Sequence, residues 1–195
     1  MIELSKREKT LVFIDAGYFS LLCKHFGKGK YLKVDIIKFA NYLATKQNKW
    51  CEHIFYYTAP PFQSPKPTRE EAERKARYDS WKAAMAKEKQ FTLREGRCQK
   101  VEGEFTQKGV DTLLTMDVSS EPLDRNINHV IILACDTDFV PVLNNIRSKR
   151  GVQVALFYYS DRIRDSKFSM SNHLYTACDS CILLNKEDFT KNVRK

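Results

Sequence analysis

Leu11-Val12-Phe13-Ile14, followed at once by Asp15, is the stretch that decides the fold. An unbroken apolar run of this length, closed by a carboxylate and then Ala16-Gly17, reads as a strand buried on both faces. Such strands belong to parallel sheets with helices on either side. A second run, Val130-Ile131-Ile132-Leu133-Ala134, leads into Cys135-Asp136-Thr137-Asp138. In sheets of this kind, sites form outside the carboxyl ends of the strands. The two junctions can therefore converge although a long stretch of chain separates them. Facing carboxylates repel one another, and a hard divalent cation relieves the repulsion; Mg²⁺ and Mn²⁺ prefer oxygen ligands. The residues alone predict an acidic metal site on an α/β sheet.

Working outward, Ala16-Gly17-Tyr18-Phe19 turns into a helix through about Phe26. A second helix is expected from about Val34 to Thr45, with Ile36, Ile37, Phe39, Ala40 and Leu43 at helical spacing. His53 to Tyr57 reads as a strand, stopped by Pro60-Pro61. Thr68 with Glu71 three residues on has capping-box spacing. It opens a long charged helix to about Lys89, whose buried stripe would be Ala72, Ala76, Trp81 and Met85. Phe91 to Arg97 alternates like a half-buried strand, and Val101 to Gln107 reads as a surface loop or hairpin. Lys108-Gly109-Val110-Asp111 opens a helix through about Val118. Further strands are expected at Val130–Ala134, Val152–Tyr158 and Cys181–Leu184, with helices at Phe139–Ser148 and Ser169–Thr176 between them. The β-α alternation predicts a mainly parallel sheet with helices on both faces, in a single domain whose core spans about 11–184.

Composition is compatible with this. The chain has 195 residues, 43% of them hydrophobic, enough for one substantial core. Its 33 Lys+Arg against 24 Asp+Glu give a net charge of +9. A basic surface around an acidic pocket suits a polyanionic substrate, because the surface attracts phosphates. No run approaches the roughly 20 apolar residues of a membrane span, and no signal peptide is visible, so a cytoplasmic protein is expected. Of the six cysteines, only Cys178 and Cys181 have metal-like or redox-like spacing. A lone C-x-x-C without a second pair is weak evidence for zinc, and reduced thiols are the plainer reading.

Asp15, Asp111, Asp136 and Asp138 form the constellation that carries chemistry. Each has a plain structural reading: Asp is a good N-cap, and Asp111 or Asp138 could cap a helix and meet its dipole. Turn chemistry alone is a poorer account of all four. Lys108 stands beside Asp111 and could contact a phosphate. Arg162, Arg164 and Lys167 form a basic cluster after the strand ending near Tyr159. The long charged helix carries Arg69, Arg74, Lys75, Arg77, Lys82, Lys87 and Lys89. These could track a nucleic-acid backbone, with Tyr78 or Trp81 for stacking; the competing reading is a solvated helix with a core-facing Trp81. His25, His53, His129 and His173 sit in no triad-like setting.

The motifs Phe13-Ile14-Asp15-Ala16-Gly17-Tyr18, Lys108-Gly109-Val110-Asp111 with Asp117, and Cys135-Asp136-Thr137-Asp138-Phe139 together resemble those of NYN domains, most of all the bacterial LabA-like (DUF88) branch, related to PIN-domain nucleases. Ser171-Asn172-His173-Leu174 and Cys178-Asp179 look like the closing pattern of that family. The resemblance spans Leu11 to about Leu184. It implies a Rossmann-like PIN fold and a metal-dependent ribonuclease, with endonucleolytic action expected. Asp15, Asp111, Asp136 and Asp138 match the family's catalytic, metal-holding acidic positions, with Mg²⁺ or Mn²⁺ as the implied cofactor. Asp117 matches a recurrent acidic position. It lies about 240° around the helix from Asp111, so it is expected to support the site from the side. Tyr18 stands where many members have Asn and is a second supporting candidate. Lys108, Arg162, Arg164 and Lys167 are the nucleic-acid-binding candidates. The implied partner is RNA, with single-stranded DNA and a second copy of the chain as further candidates.

Two other classes compete. Asp136-Thr137-Asp138-Phe139-Val140 also fits the opening motif of a haloacid-dehalogenase-like phosphatase, but too little chain follows it to build that core. The other is a non-catalytic RNA- or DNA-binding module with a vestigial or structural metal site.

Overall fold

The computed structural model describes residues 7–194, apart from residues 102, 162, 164, 165 and 169. Six strands form one parallel sheet: β1 (Lys9–Asp15), β2 (Trp50–Thr58), β3 (Phe91–Glu95), β6 (His129–Leu133), β7 (Gln153–Tyr158) and β8 (Ser180–Leu183). Their order across the sheet is β3-β2-β1-β6-β7-β8. The remaining strands, β4 (Arg97–Val101) and β5 (Glu104–Lys108), make a separate antiparallel hairpin.

Alternation along each strand splits the core in two, as a pleated sheet requires. Val12, Ile14, Ile54, Tyr56, Ile131, Leu133, Ala155 and Phe157 face one layer. That layer is covered by α1 (Ala16–Phe26), α2 (Ile36–Lys46), α7 (Lys186–Thr190) and the end of α3 (Arg69–Met85). Leu11, Phe13, Phe55, Tyr57, Val130, Ile132, Val154 and Leu156 face the other layer. There they meet α4 (Val110–Asp124), α5 (Val140–Arg150) and α6 (Asn172–Thr176). The wholly apolar runs in β1 and β6 are thus explained: both faces are buried, so neither needs polar residues.

The strand order fixes where a site can form. The chain builds β1, β2 and β3 outward on one side, then returns to place β6 against the opposite edge of β1. This reversal between β1 and β6 is a topological switch point, where the connections leaving two neighbouring strands diverge and open a crevice. Ile14 pairs with Leu133 at its lip.

Four expectations need correction. Helix α3 has its capping box, Thr68 with Glu71, but only Met85 on it is buried; Trp81 is half-buried, and Ala72 and Ala76 are exposed. The helix docks by its C-terminal end, so a full-length apolar stripe is not needed. The strand expected at Phe91–Arg97 breaks at Gly96, whose N–H donates to the Thr58 carbonyl at 2.8 Å before the chain departs into the hairpin. Helix α4 continues past Val118 to Asp124, with buried Pro122 in its last turn. A short seventh helix follows β8, capped by Asn185 and Asp188, where none was expected.

Candidate active site

Asp15 is the last residue of β1 and the N-cap of α1; its Oδ1 accepts the Gly17 N–H at 2.8 Å. Asp136 lies just beyond β6 and caps the short 3-10 turn Thr137–Phe139, its Oδ1 accepting the Asp138 N–H at 2.9 Å. Capping therefore falls to Asp15 and Asp136. Asp111 and Asp138, the two that sequence suggested as caps, do not serve as them: Asp111 sits inside the first turn of α4, and Asp138 lies within the 3-10 turn. Asp111, Asp136 and Asp138 are all exposed, and Asp15 is half-buried.

Asp111 is delivered by a constrained entry. Gly109, the N-cap of α4, has φ +81°, a left-handed conformation that a side chain would strain. Gly96 lies against the same entry: a Cβ there would come within 2.5 Å of the Lys108 carbonyl and 2.7 Å of a Val110 methyl. Two glycines thus let the hairpin and the start of α4 pack closely enough to bring Asp111 to the crevice.

The four carboxylates interact across it. Burial raises Asp15 to about 6, with Asp111 and Asp136 adding to the shift against the opposing Gly17 and Tyr18 amides. Asp111 is raised as well, by partial desolvation and then by Asp136 and Asp138. Among the described residues, none of the four has a cationic partner. Three segments distant in sequence thus place mutually repelling carboxylates at the switch point. No three His, Cys, Asp or Glu side chains of the described residues stand close enough to hold one ion as they are. The donor set fits a hard divalent cation in chemistry and charge; the carboxylates are spread wider than a closed coordination sphere.

The other candidates fall apart into different roles. Asp117 is buried and satisfied: Arg94 Nε and Nη2 donate to its two oxygens at 2.7 and 2.5 Å, and the buried Tyr57 hydroxyl donates at 2.9 Å. It locks α4 to β2 and β3. Tyr18 is buried, and its hydroxyl donates to the Tyr159 carbonyl at 3.3 Å and accepts the Tyr159 N–H at 2.8 Å, tying α1 to the end of β7. Lys108 is exposed at the end of β5, two residues before α4. Lys167 is exposed; Arg162 and Arg164 lie outside the described residues. On α3, Arg69, Lys75, Arg77 and Lys82 pair with Glu73, Asp79, Glu73 and Glu95, so most of its positive face is already neutralised. The histidines pack or bond structurally, His53 with Thr92 and His129 with Thr10 at 2.8 Å each, and His25 against Tyr159 and Phe168. Cys178 and Cys181 are free thiols directed at the Leu174 and Tyr175 carbonyls.

Sequence reasoning did not assemble one feature. A cavity of about 440 Å³ opens beside Asp15, bounded by Ala16 and Gly17, with Tyr31, Lys33, Tyr56, Tyr78, Trp81 and Arg194 in its wall. Tyr78 and Trp81 carried a signal as exposed-face aromatics of a basic helix; Tyr31, Lys33 and Arg194 come from irregular segments with no periodicity to reveal them.

A parallel α/β sheet with an uncompensated carboxylate cluster at its switch point defines a class: PIN-like hydrolytic folds. The NYN domain family matches residues 9–185, and the chain belongs to it. NYN domains are generally nucleases and usually depend on divalent metals, so the chain carries a nuclease-type domain with a nucleic-acid substrate. A crystal structure of a protein of unknown function from Vibrio parahaemolyticus RIMD 2210633 has the same fold, with a TM-score of 0.57, 17% identity, and coverage of 94% of this chain and 96% of that one. No curated protein matches the chain in sequence. Among the described residues no helix is long and apolar enough to cross a membrane.

Proposed function

We propose that this protein is a ribonuclease of the LabA-like branch that hydrolyses RNA phosphodiester bonds internally with Mg²⁺ or Mn²⁺. The observation that carries the reading is the group of four carboxylates supplied by β1, α4 and the turn after β6: burial and then the neighbouring carboxylates raise the proton affinity of Asp15 and Asp111, and among the described residues no cation pairs with any of the four. Proteins rarely leave such repulsion standing, and perturbed carboxylates in a crevice mark functional sites.

Asp15, Asp111, Asp136 and Asp138 would hold the ion. When bound, it supplies Lewis-acid stabilisation of phosphoryl charge and a water of lowered pKa. The chain's own contributions follow from its geometry. Asp15 and Asp136 are fixed by their caps, so their carboxylates need no ordering when substrate arrives. Asp15, whose pKa burial raises to about 6, is mostly ionised at neutral pH; below neutrality its proton would compete with a cation, so metal affinity would rise with pH up to about 7. Lys108, exposed three residues before Asp111, would be the cation to meet a phosphate oxygen there. The net charge of +9 draws the polyanion toward an otherwise acidic centre. The free cysteines suit a reducing cytoplasm.

A non-catalytic RNA- or DNA-binding module is the second reading, favoured by the wide spacing of the carboxylates. Incubating purified protein with end-labelled single-stranded RNA in Mn²⁺, in Mg²⁺ and in EDTA separates the two. Metal-dependent fragments from the wild type, lost by at least about a hundredfold in Asp15→Asn and Asp136→Asn, are expected. Binding without fragments in any metal, or equal cleavage by both variants, overturns the nuclease assignment.

A further inference from the structure

The cavity beside Asp15 is built for a ligand of definite chemistry. Its floor is the buried ring of Tyr56. Trp81 lies with ring centroid 5.7 Å from Tyr56 and 5.6 Å from Tyr78, so three aromatic rings are contiguous along one wall. Tyr31, 48% exposed, stands elsewhere in the cavity lining. One exposed and two half-buried aromatic rings lining a cavity of this size offer edges and faces for a flat heteroaromatic ring to stack against.

The charge at the rim is equally specific. Val34 and Val193 form an antiparallel bridge, flanked by bonds from Asp35 N–H to the Asn192 carbonyl at 2.8 Å and from Arg194 N–H to the Lys33 carbonyl at 2.9 Å. This register puts Lys33 and Arg194 directly opposite each other, and both line the cavity. Like charges directly opposite across a ladder are destabilising. Among the described residues neither exposed cation has a salt-bridge partner, so both charges are open to an anion.

The cavity also adjoins the carboxylates. Ala16 and Gly17 form its edge and directly follow Asp15, and Thr58 at the end of β2 borders it too. A strand whose phosphate lies over the carboxylates would have a neighbouring nucleotide within reach of this cavity. We propose that the cavity is a base-binding subsite: it takes one unpaired nucleobase of the substrate strand among Tyr31, Tyr78 and Trp81, while Lys33 and Arg194 clamp an adjacent backbone phosphate. The inference rests on reading the carboxylate cluster as a nucleic-acid site. It specifies single-stranded substrate, because a base stacked within a duplex offers no free face.

The test measures binding in EDTA, where no cleavage occurs, by anisotropy of a labelled RNA hexamer and of a base-free ribose-phosphate hexamer of equal charge. Wild type should bind the RNA more tightly by roughly 5- to 100-fold, the range of base–aromatic stacking. Tyr31→Ala should lose much of that preference, and Tyr31→Phe, which keeps the ring, should retain it. Lys33→Gln with Arg194→Gln should weaken both ligands alike and reduce the salt slope by about 0.7 for one phosphate. Melting curves confirm that the variants are folded. A base preference untouched by Tyr31→Ala, or a salt slope untouched by the double variant, overturns the subsite. So does uridine or adenosine monophosphate that quenches Trp81 but fails to compete with the RNA, since the cavity would then serve a free nucleotide. The result is independent of the nuclease assignment: a protein that never cuts RNA but shows the Tyr31-dependent base preference keeps the subsite, and one that cuts RNA without it loses the subsite alone.

Discussion

Replacing Asp15 by Asn removes a charge from the cluster without removing a cap. Asn accepts the Gly17 N–H as Asp does and is an equal N-cap, so α1 keeps its start. What changes is the proton linkage. The folded Asp15 holds its proton to about pH 6, through burial and then Asp111 and Asp136, whereas an unfolded Asp releases it near 3.9. The native state therefore binds the proton more tightly. Below about pH 4 both states are protonated and the site costs nothing. Between about 4 and 6 the unfolded chain ionises first and the penalty grows; above 6 it is complete. The full gap corresponds to about 3 kcal/mol, but Asp15 is half-buried beside exposed neighbours, and solvent screening reduces this to an expected 1–2 kcal/mol. Urea denaturation of wild type and Asp15→Asn in EDTA, from about pH 3.5 to 7.5, isolates the contribution, because groups not coupled to Asp15 cancel in the difference. The variant should match wild type at the acid end and gain steadily on it toward neutrality. Millimolar Mn²⁺ at pH 7 should then stabilise the wild type by mass action and leave the variant nearly unmoved. A pH-independent difference, or a variant that loses ground as pH rises, refutes the claim that the native state holds Asp15 above its ordinary value through burial and its carboxylate neighbours.

Asp117→Ala should cost about 2–4 kcal/mol, because it strands a buried Tyr57 hydroxyl and Arg94, while the folded fraction keeps its Mn²⁺ response; Asp111→Ala should do the reverse, melting at or above wild type and losing metal-dependent activity. Equal loss of Mn²⁺ affinity in both, by titration calorimetry, would put Asp117 among the ligands. Gly96→Ala should destabilise by roughly 1–3 kcal/mol and depress activity together, since its Cβ meets backbone at the entry of α4; a variant with wild-type melting and turnover would show that this close approach is dispensable. Lys108→Ala should weaken RNA binding severalfold and leave thermal melting unchanged, and an unaltered affinity would remove it from the substrate path.

The sheet was legible because parallel strands buried on both faces advertise themselves. Leu11–Ile14 and Val130–Ala134 have no polar residue to blur them, and the aspartates that close them lie where strand ends must lie. Helix α3 was less legible, because its burial is decided by where its end docks and not by a stripe along its length. The partner of Asp117 was invisible for another reason. Arg94 lies on β3, and only the pairing of β3 with β2 brings it beside α4; neither residue carries a periodic signal that joins them. The aromatic cavity draws on α1, the segment before α2, the start of α2, β2, α3, β5 and the stretch after α7. Spacing rules act along one element, and no rule of that kind assembles seven segments.

What distinguishes a working carboxylate from a structural one here is the company it keeps. Asp117 has Arg94 and Tyr57. Asp188 has Lys46 at 2.6 Å and Tyr42 at 2.5 Å, which hold it low although burial would raise it. Asp179, though exposed, has Arg147 and the Val154 N–H, both at 2.8 Å, and is likewise held low against its partial desolvation. Each of these is neutralised by a partner from another element and so fastens the fold. Asp15 and Asp111 shift the opposite way, because burial raises them and their charged neighbours are further carboxylates, which add to the shift. With 33 basic residues in the chain, cations were available for those positions too, and Lys108 lies only three residues from Asp111. A fold that pairs Asp117, Asp188 and Asp179 and, among the described residues, leaves four acids at the switch point without a cationic partner fits the proposal that a cation from solution completes the group. The same logic inverted applies at Lys33 and Arg194, two cations held opposite each other with no acid between them. On the proposed reading the carboxylates would take a metal and Lys33 with Arg194 a phosphate, with aromatic rings alongside: the pattern a single nucleic-acid strand would fill from its backbone and its bases at once.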